Sequence, residues 1–370
     1  MPGGFCRIAE QLDARAVSMG DGARAADVWV VSDKAVTAKT LLPASDTVRI
    51  KRIAGVLPSR AADNLFWLGR YLERAEATLR LVRALGTQQR DPGKGSSGLQ
   101  QAAERVQRLL VAWGAVSQAS RTQPAKVAGE ALQSEERFGS GLSLVRAAQR
   151  TATSLRERLS PDAWQVITEM TERLAQEVED DDGVVSAAEL TLQELASFAG
   201  LAQENMNRAA AGWRFLEMGR RAERAINTVR FGRQFAHDEA SPEDLDILLT
   251  LADCQITYRS RYLVGPMLAP VRDLVVLDPY NPRSVAFQVQ ALNEHIASLP
   301  ALRETGIIER PQRLAVAVQA TLTTAEAAAL DTKTLFALEQ ELLTLADAIG
   351  SHYFPHGPNA SRPEKLTGLA

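Results

Sequence analysis

Two twelve-residue stretches place glutamate and arginine at matching steps, and they give the clearest indication of chemistry in this sequence. GRYLERAEATLR begins at Gly69, and GRRAERAINTVR begins at Gly219, 150 residues later. Both follow the frame Gly-Arg-x-x-Glu-Arg-Ala-x-x-Thr-x-Arg. Residues three and four apart share a helix face, so the glycine, the glutamate and the last arginine of each copy form one row. Because glycine is a poor helix former, its place in each row predicts close approach of a second backbone or a ligand.

The charged residues of the two copies are the first candidate site residues. They are Arg70, Glu73, Arg74, Arg80, Arg220, Glu223, Arg224 and Arg230. In each copy, two arginines four residues apart repel one another unless acids or an anionic ligand balance them. A structural interpretation packs the two helices as pseudo-symmetric partners. Glu73 would then meet Arg220 or Arg224, and Glu223 would meet Arg70 or Arg74.

A functional interpretation of the same residues is a polar pocket. Paired glutamate and arginine side chains would there recognise an anionic or peptide-like substrate. If the chain were an enzyme in its own right, Glu73 and Glu223 would be the acid and base, and both would have to face one cavity. No histidine follows a glutamate by three residues, so no metal site of the Glu-x-x-His type is expected. The sequence also lacks a phosphate-binding loop and a Gly-x-Ser-x-Gly elbow, so no catalytic residue is assigned.

The stretch ITYRSRYL brings aromatic and basic residues together. Tyr258 and Tyr262 lie four residues apart and share a helix face, with Arg259 and Arg261 beside them. These residues form either a packed tyrosine pair with solvated arginines or one wall of the pocket.

The stretch LDPYNPRSV predicts a turn followed by the start of a helix. Asp278 and Arg283 are expected to clamp the turn. Ser284 falls in the first helical turn, where serine usually serves only helix capping.

The elements that carry these residues are helical from about Pro58 onward, where apolar residues recur at spacings of three and four. The sequence predicts an all-α bundle of about nine to eleven helices, many of them long and antiparallel. Four helix starts are expected at N-caps, namely Ser160, Ser241, Asn281 and Asp331. We expect a short β-containing or disordered segment at 1–50, with strand character at 28–36, a helical domain at 55–355 and a flexible tail at 356–370.

Composition narrows the class of protein. The net charge is -3 over 370 residues, which gives no basic field for nucleic acid. No apolar run reaches about 18 residues, so no membrane span is expected. Cys6 and Cys254 are the only cysteines and lie far apart in sequence, which suits a reducing cytoplasm.

Four motifs give the chain a resemblance. PSRAADNLFWLGRYLERAEATLRLV, WRFLEMGRRAERAINTVRF, YRSRY and LDPYNPRSV occur in that order and closely resemble the bacterial alpha-E domain family over roughly 58–354. The resemblance implies an all-helical domain of unknown function, encoded beside or fused behind a circularly permuted ATP-grasp domain, often with a transglutaminase-like protease. That setting implies a peptide-forming or peptide-modifying amidoligase system.

The N-terminal residues resemble the last motifs of such an ATP-grasp domain. Asp27, Trp29 and Val30 match its closing pattern, whereas Ala26 stands where a lysine is usual. Some fifty residues are too few for an ATP-grasp site, so 1–50 is predicted to be an incomplete remnant. ATP and Mg would then bind only through a partner or a missing ATP-grasp domain.

The resulting prediction is a helical accessory or substrate-presenting domain of an ATP-grasp amidoligase system, not catalytic on its own. One alternative is an independent enzyme with a Glu/Arg pocket, and another is a purely structural bundle.

Overall fold

A computed structural model describes residues 3–8, 24–29, 31, 33, 57–89, 97–118, 120, 124–178, 180–300 and 306–354. The chain divides into two compact units, Met1–Arg52 and Ile53–Ala370. The predicted flexible tail at 356–370 lies outside the described residues.

The first unit contains an antiparallel pair of strands, β1 (Gly3–Ile8) and β2 (Arg24–Trp29). Gly3 pairs with Trp29, and Ile8 pairs with Arg24. Of the strand character predicted at 28–36, Val28 and Trp29 lie in β2, whereas Val31 and Asp33 lie outside any strand. The other residues of that range lie outside the described residues. Of the ATP-grasp resemblance, Val30 lies outside the described residues.

The second unit is built of helices, which confirms the all-α prediction. Its thirteen described α-helices are α1 (Ser59–Gln89), α2 (Ser97–Ala112), α3 (Pro124–Gln133), α4 (Gly141–Thr153), α5 (Pro161–Ala175), α6 (Asp181–Asn205), α7 (Ala211–Phe235), α8 (Pro242–Leu251), α9 (Gln255–Tyr262), α10 (Leu268–Arg272), α11 (Val285–Ala297), α12 (Arg310–Thr324) and α13 (Thr332–Tyr353). A π-helical turn, Asp273–Leu277, follows α10. None of the described helices is long and apolar enough to cross a bilayer.

The predicted count of nine to eleven helices is too low for the described residues. The stretch from Pro242 to Arg272 forms three short helices rather than one or two long ones. Asp253 and Leu263 adopt positive φ angles of 57° and 52°, and a left-handed residue ends a helix. Four helices reach 22 residues or more, namely α1, α6, α7 and α13.

Three of the four N-caps predicted from the sequence are confirmed. Ser160, Ser241 and Asp331 each accept a hydrogen bond from a backbone N–H in the first turn of the following helix. The prediction for Asn281 is wrong, because α11 begins three residues later, behind Ser284. The amide of Asn281 instead donates to the backbone oxygen of Leu274 at 2.7 Å, which ties the turn to the π-helical segment.

The two halves of the helical unit repeat one arrangement. In the first half α1 packs on α4 and α6, α4 packs on α5, and α5 packs on α6. In the second half α7 packs on α11 and α13, α11 packs on α12, and α12 packs on α13. The most extensive helix contact joins α1 to α7, the two helices that carry the duplicated stretches. The duplication seen in the sequence is thus a duplication of structure, and its seam is the α1–α7 contact.

Helix direction corrects the prediction of an antiparallel bundle at this seam. Contacting positions rise together along α1 and α7, from Leu65 beside Gly212 to Glu76 beside Arg224. The two central helices therefore run parallel. The prediction holds for α7 and α13, since Phe215 contacts Tyr353 at one end and Gly232 contacts Leu335 at the other.

Candidate functional site

Glycine at the start of each duplicated stretch lets the two central helices touch. A Cβ atom at Gly69 would overlap the backbone oxygen of Leu216, and a Cβ atom at Gly219 would overlap the backbone oxygen of Phe66. The two contacts are equivalent, because each glycine faces the residue three positions before the other glycine. The close backbone approach expected from the sequence is thus a helix–helix contact.

One buried clamp crosses the seam from Glu223 on α7. Its Oε2 accepts a hydrogen bond from Nε of Arg70 at 2.7 Å, and its Oε1 accepts one from Nε of Arg74 at 2.6 Å. All three side chains are buried, and Glu223 is 1% exposed. Arg70 and Arg74 form no salt bridge to another acid within the described residues, so Glu223 is the main balance for two buried guanidinium groups, and Asp347 adds a more distant attraction to Arg70.

The matching clamp crosses in the other direction from Glu73 on α1. Its Oε1 accepts from Nε of Arg220 at 3.1 Å, and its Oε2 accepts from Nε of Arg224 at 2.8 Å. Both clamps join the partners that the spacing of the two copies predicts. They differ in their surroundings, because Arg220 also pairs with Glu217 and Arg224 also pairs with Glu76.

Glu76, one helical turn beyond Glu73, gathers three arginines from three parts of the fold. Its carboxylate accepts from Arg80 at 2.9 Å, from Arg224 at 3.2 Å and from Arg283 at 2.5 Å. Arg80 and Arg283 also reach Oδ2 of Asp253, at 3.2 and 3.4 Å. Glu76 and Asp253 therefore hold the turn before α11 and the turn before α9 against α1.

An arginine-lined cleft of about 750 Å³ opens beside this cluster, and we call it the arginine cleft. Arginine side chains from α1, α7 and the turn before α11 line it, together with three acids and one face of α6. The lining includes Arg80, Arg83, Arg220, Arg221, Arg224, Arg283, Glu76, Glu189, Asp253, Gln193 and Phe287. A smaller cavity of about 30 Å³ lies next to it and shares Glu76, Arg80, Arg224 and Arg283 with its lining.

The charge of the arginine cleft favours an anion. Six arginines and three carboxylates line it. Glu73 and Glu217, which do not line the cleft, form salt bridges to three of its arginines. With these two carboxylates counted, the cleft keeps a net charge of one positive unit. Arg83 is the lining arginine to which the described residues provide no salt bridge, and burial followed by the charge of Arg80 lowers its pKa. The volume lies in the range of pockets that hold small molecules or short peptides.

A family model matches most of the chain. The model describes a predicted alpha-helical domain with a conserved ER motif, and it matches residues 57–354. The chain belongs to the Alpha-E family. Glu73-Arg74 and Glu223-Arg224 are the two Glu-Arg pairs that form the clamps across the seam of this Alpha-E domain.

Curated relatives occur in mycobacteria. An uncharacterized protein of Mycobacterium bovis and two of Mycobacterium tuberculosis strains are each 27% identical to the chain over 324 residues. The match covers 78% of this chain and 35% of each relative, so the chain spans about a third of their length. No solved structure matches the chain.

Two buried carboxylates of the Alpha-E domain, that of Glu223 in the first clamp and that of Glu217 beside the second, stay ionised because arginines lower their pKa values. Burial alone would raise the pKa of Glu223, but the charges of Arg74 and Arg70 and their hydrogen bonds outweigh it and lower the pKa to about 2. At Glu217, too, burial alone would raise the pKa, but the charges and hydrogen bonds of Arg220 and Arg221 outweigh it and lower the pKa to about 2. Both values lie below the ordinary 4.5, so folding favours the deprotonated forms.

The stability of the domain should fall in acid because of these two carboxyls. A carboxyl with a lowered folded-state pKa stabilises the fold above its unfolded pKa and loses that effect as the pH falls toward the folded value. Between pH 5 and pH 3 we expect a loss of about 2 kcal/mol for each carboxyl. Urea unfolding at the two pH values measures it. Glu217→Gln should flatten the pH dependence, and an unchanged slope in that variant would contradict the assignment.

The other predicted site residues divide into groups. Arg80, Arg220, Arg224 and Arg283 line the arginine cleft, whereas Arg70, Arg74 and Glu223 lie within the clamp. Arg230 pairs instead with Glu339 on α13 at 2.8 Å.

The tyrosine stretch lies outside the arginine cleft. The rings of Tyr258 and Tyr262 pack with their centroids 4.8 Å apart, and Arg259 and Arg261 are exposed. None of these four side chains lines the cleft, which favours the packed pair over a pocket wall. The hydroxyl of Tyr258 accepts a hydrogen bond from the backbone of Met267 and so holds the turn after α9.

The predicted clamp between Asp278 and Arg283 is wrong. Asp278 pairs with Arg261 at 2.6 Å, and Arg283 turns toward α1, where it meets Glu76. The partly buried carboxylate of Glu76 attracts Arg283 because it is the acid at the centre of an arginine cluster. Ser284 caps α11 by accepting from the backbone of Phe287, as the helix-chemistry interpretation expects.

Several residues that line the cleft were not among the site residues predicted from the sequence. Arg83 lies three residues after Arg80 and so belongs to the same helix face, a signal that could have been followed. Arg221 carried a weaker signal, since it follows Glu217 by four residues. Asp253 and Glu189 had no detectable signal, because only the fold brings α6 and the turn before α9 to the cleft.

Proposed function

We propose that this Alpha-E chain is a helical accessory domain that holds an anionic, peptide-like substrate for an ATP-grasp amidoligase. The observation that carries the proposal is the arginine cleft, with six arginines around about 750 Å³. An amidoligase joins a carboxylate to an amine, so its substrates carry carboxylates. Arginine binds carboxylates through two parallel hydrogen bonds, which makes such a cleft suited to select and orient them.

The geometry supports a binding role rather than acid–base chemistry by the two clamp glutamates. Glu223 lines neither described cavity, and its pKa of about 2 leaves it without a proton to donate near neutral pH. Glu73 lines only the smaller cavity, and two guanidinium groups occupy its oxygens. An enzyme that uses these residues as acid and base would need both to face one cavity. The clamps act as structural parts beside the cleft.

Two observations support a protein partner. The greater part of each mycobacterial relative lies outside the match, and we propose that such additional chain supplies the catalytic domain. Large apolar side chains in and around α9 and in the turn before α11 are exposed, which is typical of surfaces that contact another protein. They are Ile256, Leu263, Val264, Met267 and Tyr280.

Co-expression with an ATP-grasp protein, sought among the genes next to this one, tests the partnership. We expect a complex that survives size-exclusion chromatography. Ile256→Asp and Met267→Asp should weaken it at least tenfold, as for residues at the centre of an interface. Val316→Asp, on the exposed face of α12, is the matched control and should leave the complex intact. A chain that elutes alone, or that turns over a substrate without the partner, would contradict the proposal.

Binding of an acidic peptide tests the arginine cleft separately. Arg83→Gln should weaken binding of tri-glutamate about tenfold or more, because one charge-assisted contact is lost. Its fold should be preserved, since no salt bridge to Arg83 exists within the described residues. Arg259→Gln removes an exposed arginine away from the cleft and should bind like the wild type. Isothermal titration calorimetry measures both, and equal weakening in the two variants would indicate only a general charge effect.

A further inference from the structure

Asp253 lies in an unusual position at the arginine cleft. It lines the cleft in the turn between α8 and α9, with a φ angle of 57°. Left-handed backbone is uncommon for residues other than glycine and clusters at functional sites, although aspartate and asparagine tolerate it. Its side chain is 59% exposed, whereas the arginine partners at its carboxylate are 9% and 28% exposed.

The contacts of Asp253 are weak compared with those of its neighbour Glu76. Arg80 donates to Oδ2 of Asp253 at 3.2 Å and Arg283 donates to the same oxygen at 3.4 Å. The same two arginines reach Glu76 at 2.9 and 2.5 Å. One oxygen of Asp253 therefore meets two guanidinium groups at long distance and in partial contact with water, a geometry in which an ion pair contributes little.

We propose that Asp253 stands in for the anionic group of the ligand. Its carboxylate occupies the site between Arg80 and Arg283, and a carboxylate or phosphate of the ligand displaces it. The incoming oxyanion takes the same two guanidinium groups and lies near Arg83, to which the described residues offer no salt bridge. This inference rests on the proposed function, because it takes the arginine cleft as the ligand site.

Displacement requires only the side chain to move. The residue before Asp253 ends α8 through a backbone bond to Leu248, and the residue after it is the buried Cys254. Asn281 donates to Sγ of Cys254 at 3.2 Å, which holds the turn on its inner side. Because the side chain of Asp253 is 59% exposed, rotation about its side-chain bonds turns the carboxylate from the two arginines into water without moving the backbone. Binding thus exchanges one anion for another at the same arginines. A ligand must bind Arg80 and Arg283 more strongly than the carboxylate of Asp253 does, and a weakly charged ligand does not.

Removing the charge of Asp253 should tighten binding. Asp253→Asn keeps the shape of the side chain and tolerates the left-handed backbone. We expect two- to fivefold tighter binding of the correct oxyanion, as for the loss of one exposed competing ion pair. Asp246→Asn is the matched control, because Asp246 is an exposed aspartate of α8 that does not line the cleft. Isothermal titration with tri-glutamate and with inorganic pyrophosphate gives two arms, and the probe whose affinity rises identifies a carboxylate or a phosphate ligand.

Asp253→Gly provides a second variant that relieves the positive φ angle and should show the same gain. Thermal unfolding confirms that each variant is folded before titration. If the wild type binds a probe and both variants bind it equally or more weakly, Asp253 is no stand-in and the inference fails, while the cleft remains a ligand site. If neither probe binds the wild type or the variants, the inference and the ligand role of the cleft both fail. The partnership is judged independently by co-expression.

Discussion

Replacing Glu223 by glutamine should lower the free energy of unfolding by about 3–5 kcal/mol, because it strands two buried guanidinium groups. Arg70 and Arg74 are both buried and meet no other acid in a salt bridge within the described residues. Glutamine keeps the volume of the side chain and one acceptor oxygen but removes the charge. Urea unfolding of the wild type and the variant at neutral pH measures the difference.

Two controls make this result specific to the clamp. Glu189→Gln on α6 removes an exposed carboxylate and should change stability by less than about 0.5 kcal/mol. Glu73→Gln should cost less than Glu223→Gln, because Arg220 keeps Glu217 and Arg224 keeps Glu76. A loss below about 1 kcal/mol for Glu223→Gln, or the reverse order of the two clamps, would contradict the described balance of charges.

Replacing Gly219 by alanine should also destabilise the domain, by about 1–3 kcal/mol, although alanine is the better helix former. The new Cβ atom would overlap the backbone oxygen of Phe66, which cannot move aside as a flexible side chain can. The two central helices would have to separate, and the hydrogen bonds of both clamps would lengthen.

The matched control for the glycine contact is Gly200→Ala on α6, where nothing lies within 4 Å of the added atom. That variant should gain about 0.5–1 kcal/mol from helix propensity. Thermal unfolding of the two variants should therefore move in opposite directions. If Gly219→Ala also stabilises the chain, the seam is looser than the structure indicates.

The clamps could be predicted because they depend on periodicity alone. The spacing of Gly69, Glu73 and Arg80 fixes one helix face, and the same spacing at Gly219 fixes the partner face. The direction of the two helices could not be predicted in this way, since a row of charges pairs equally well in parallel and antiparallel helices. A repeat in which each half begins with the same helix brings equivalent helices side by side, and here they run parallel.

The arginine cleft was only partly predictable. Arg80 and Arg224 stand in the duplicated stretches, but the cleft also needs Asp253, Glu189 and Arg283 from three other elements. The partner that attracts Arg283 is Glu76, 207 residues earlier, and no local pattern signals that pairing. The ATP-grasp remnant, the amidoligase partner and the transglutaminase-like protease stay predictions from resemblance.

Hydrogen exchange of the full chain, with and without saturating tri-glutamate, tests most directly whether the arginine cleft is the ligand site. Exchange should slow in the turn that holds Asp253 and in the segment from Pro282 to Phe287, because both contribute side chains to the lining. The N-terminal strands and the exposed residues of α9 should exchange as before. Slower exchange only in the N-terminal strands and α9, or no change in exchange at saturating peptide, would contradict the ligand role of the cleft.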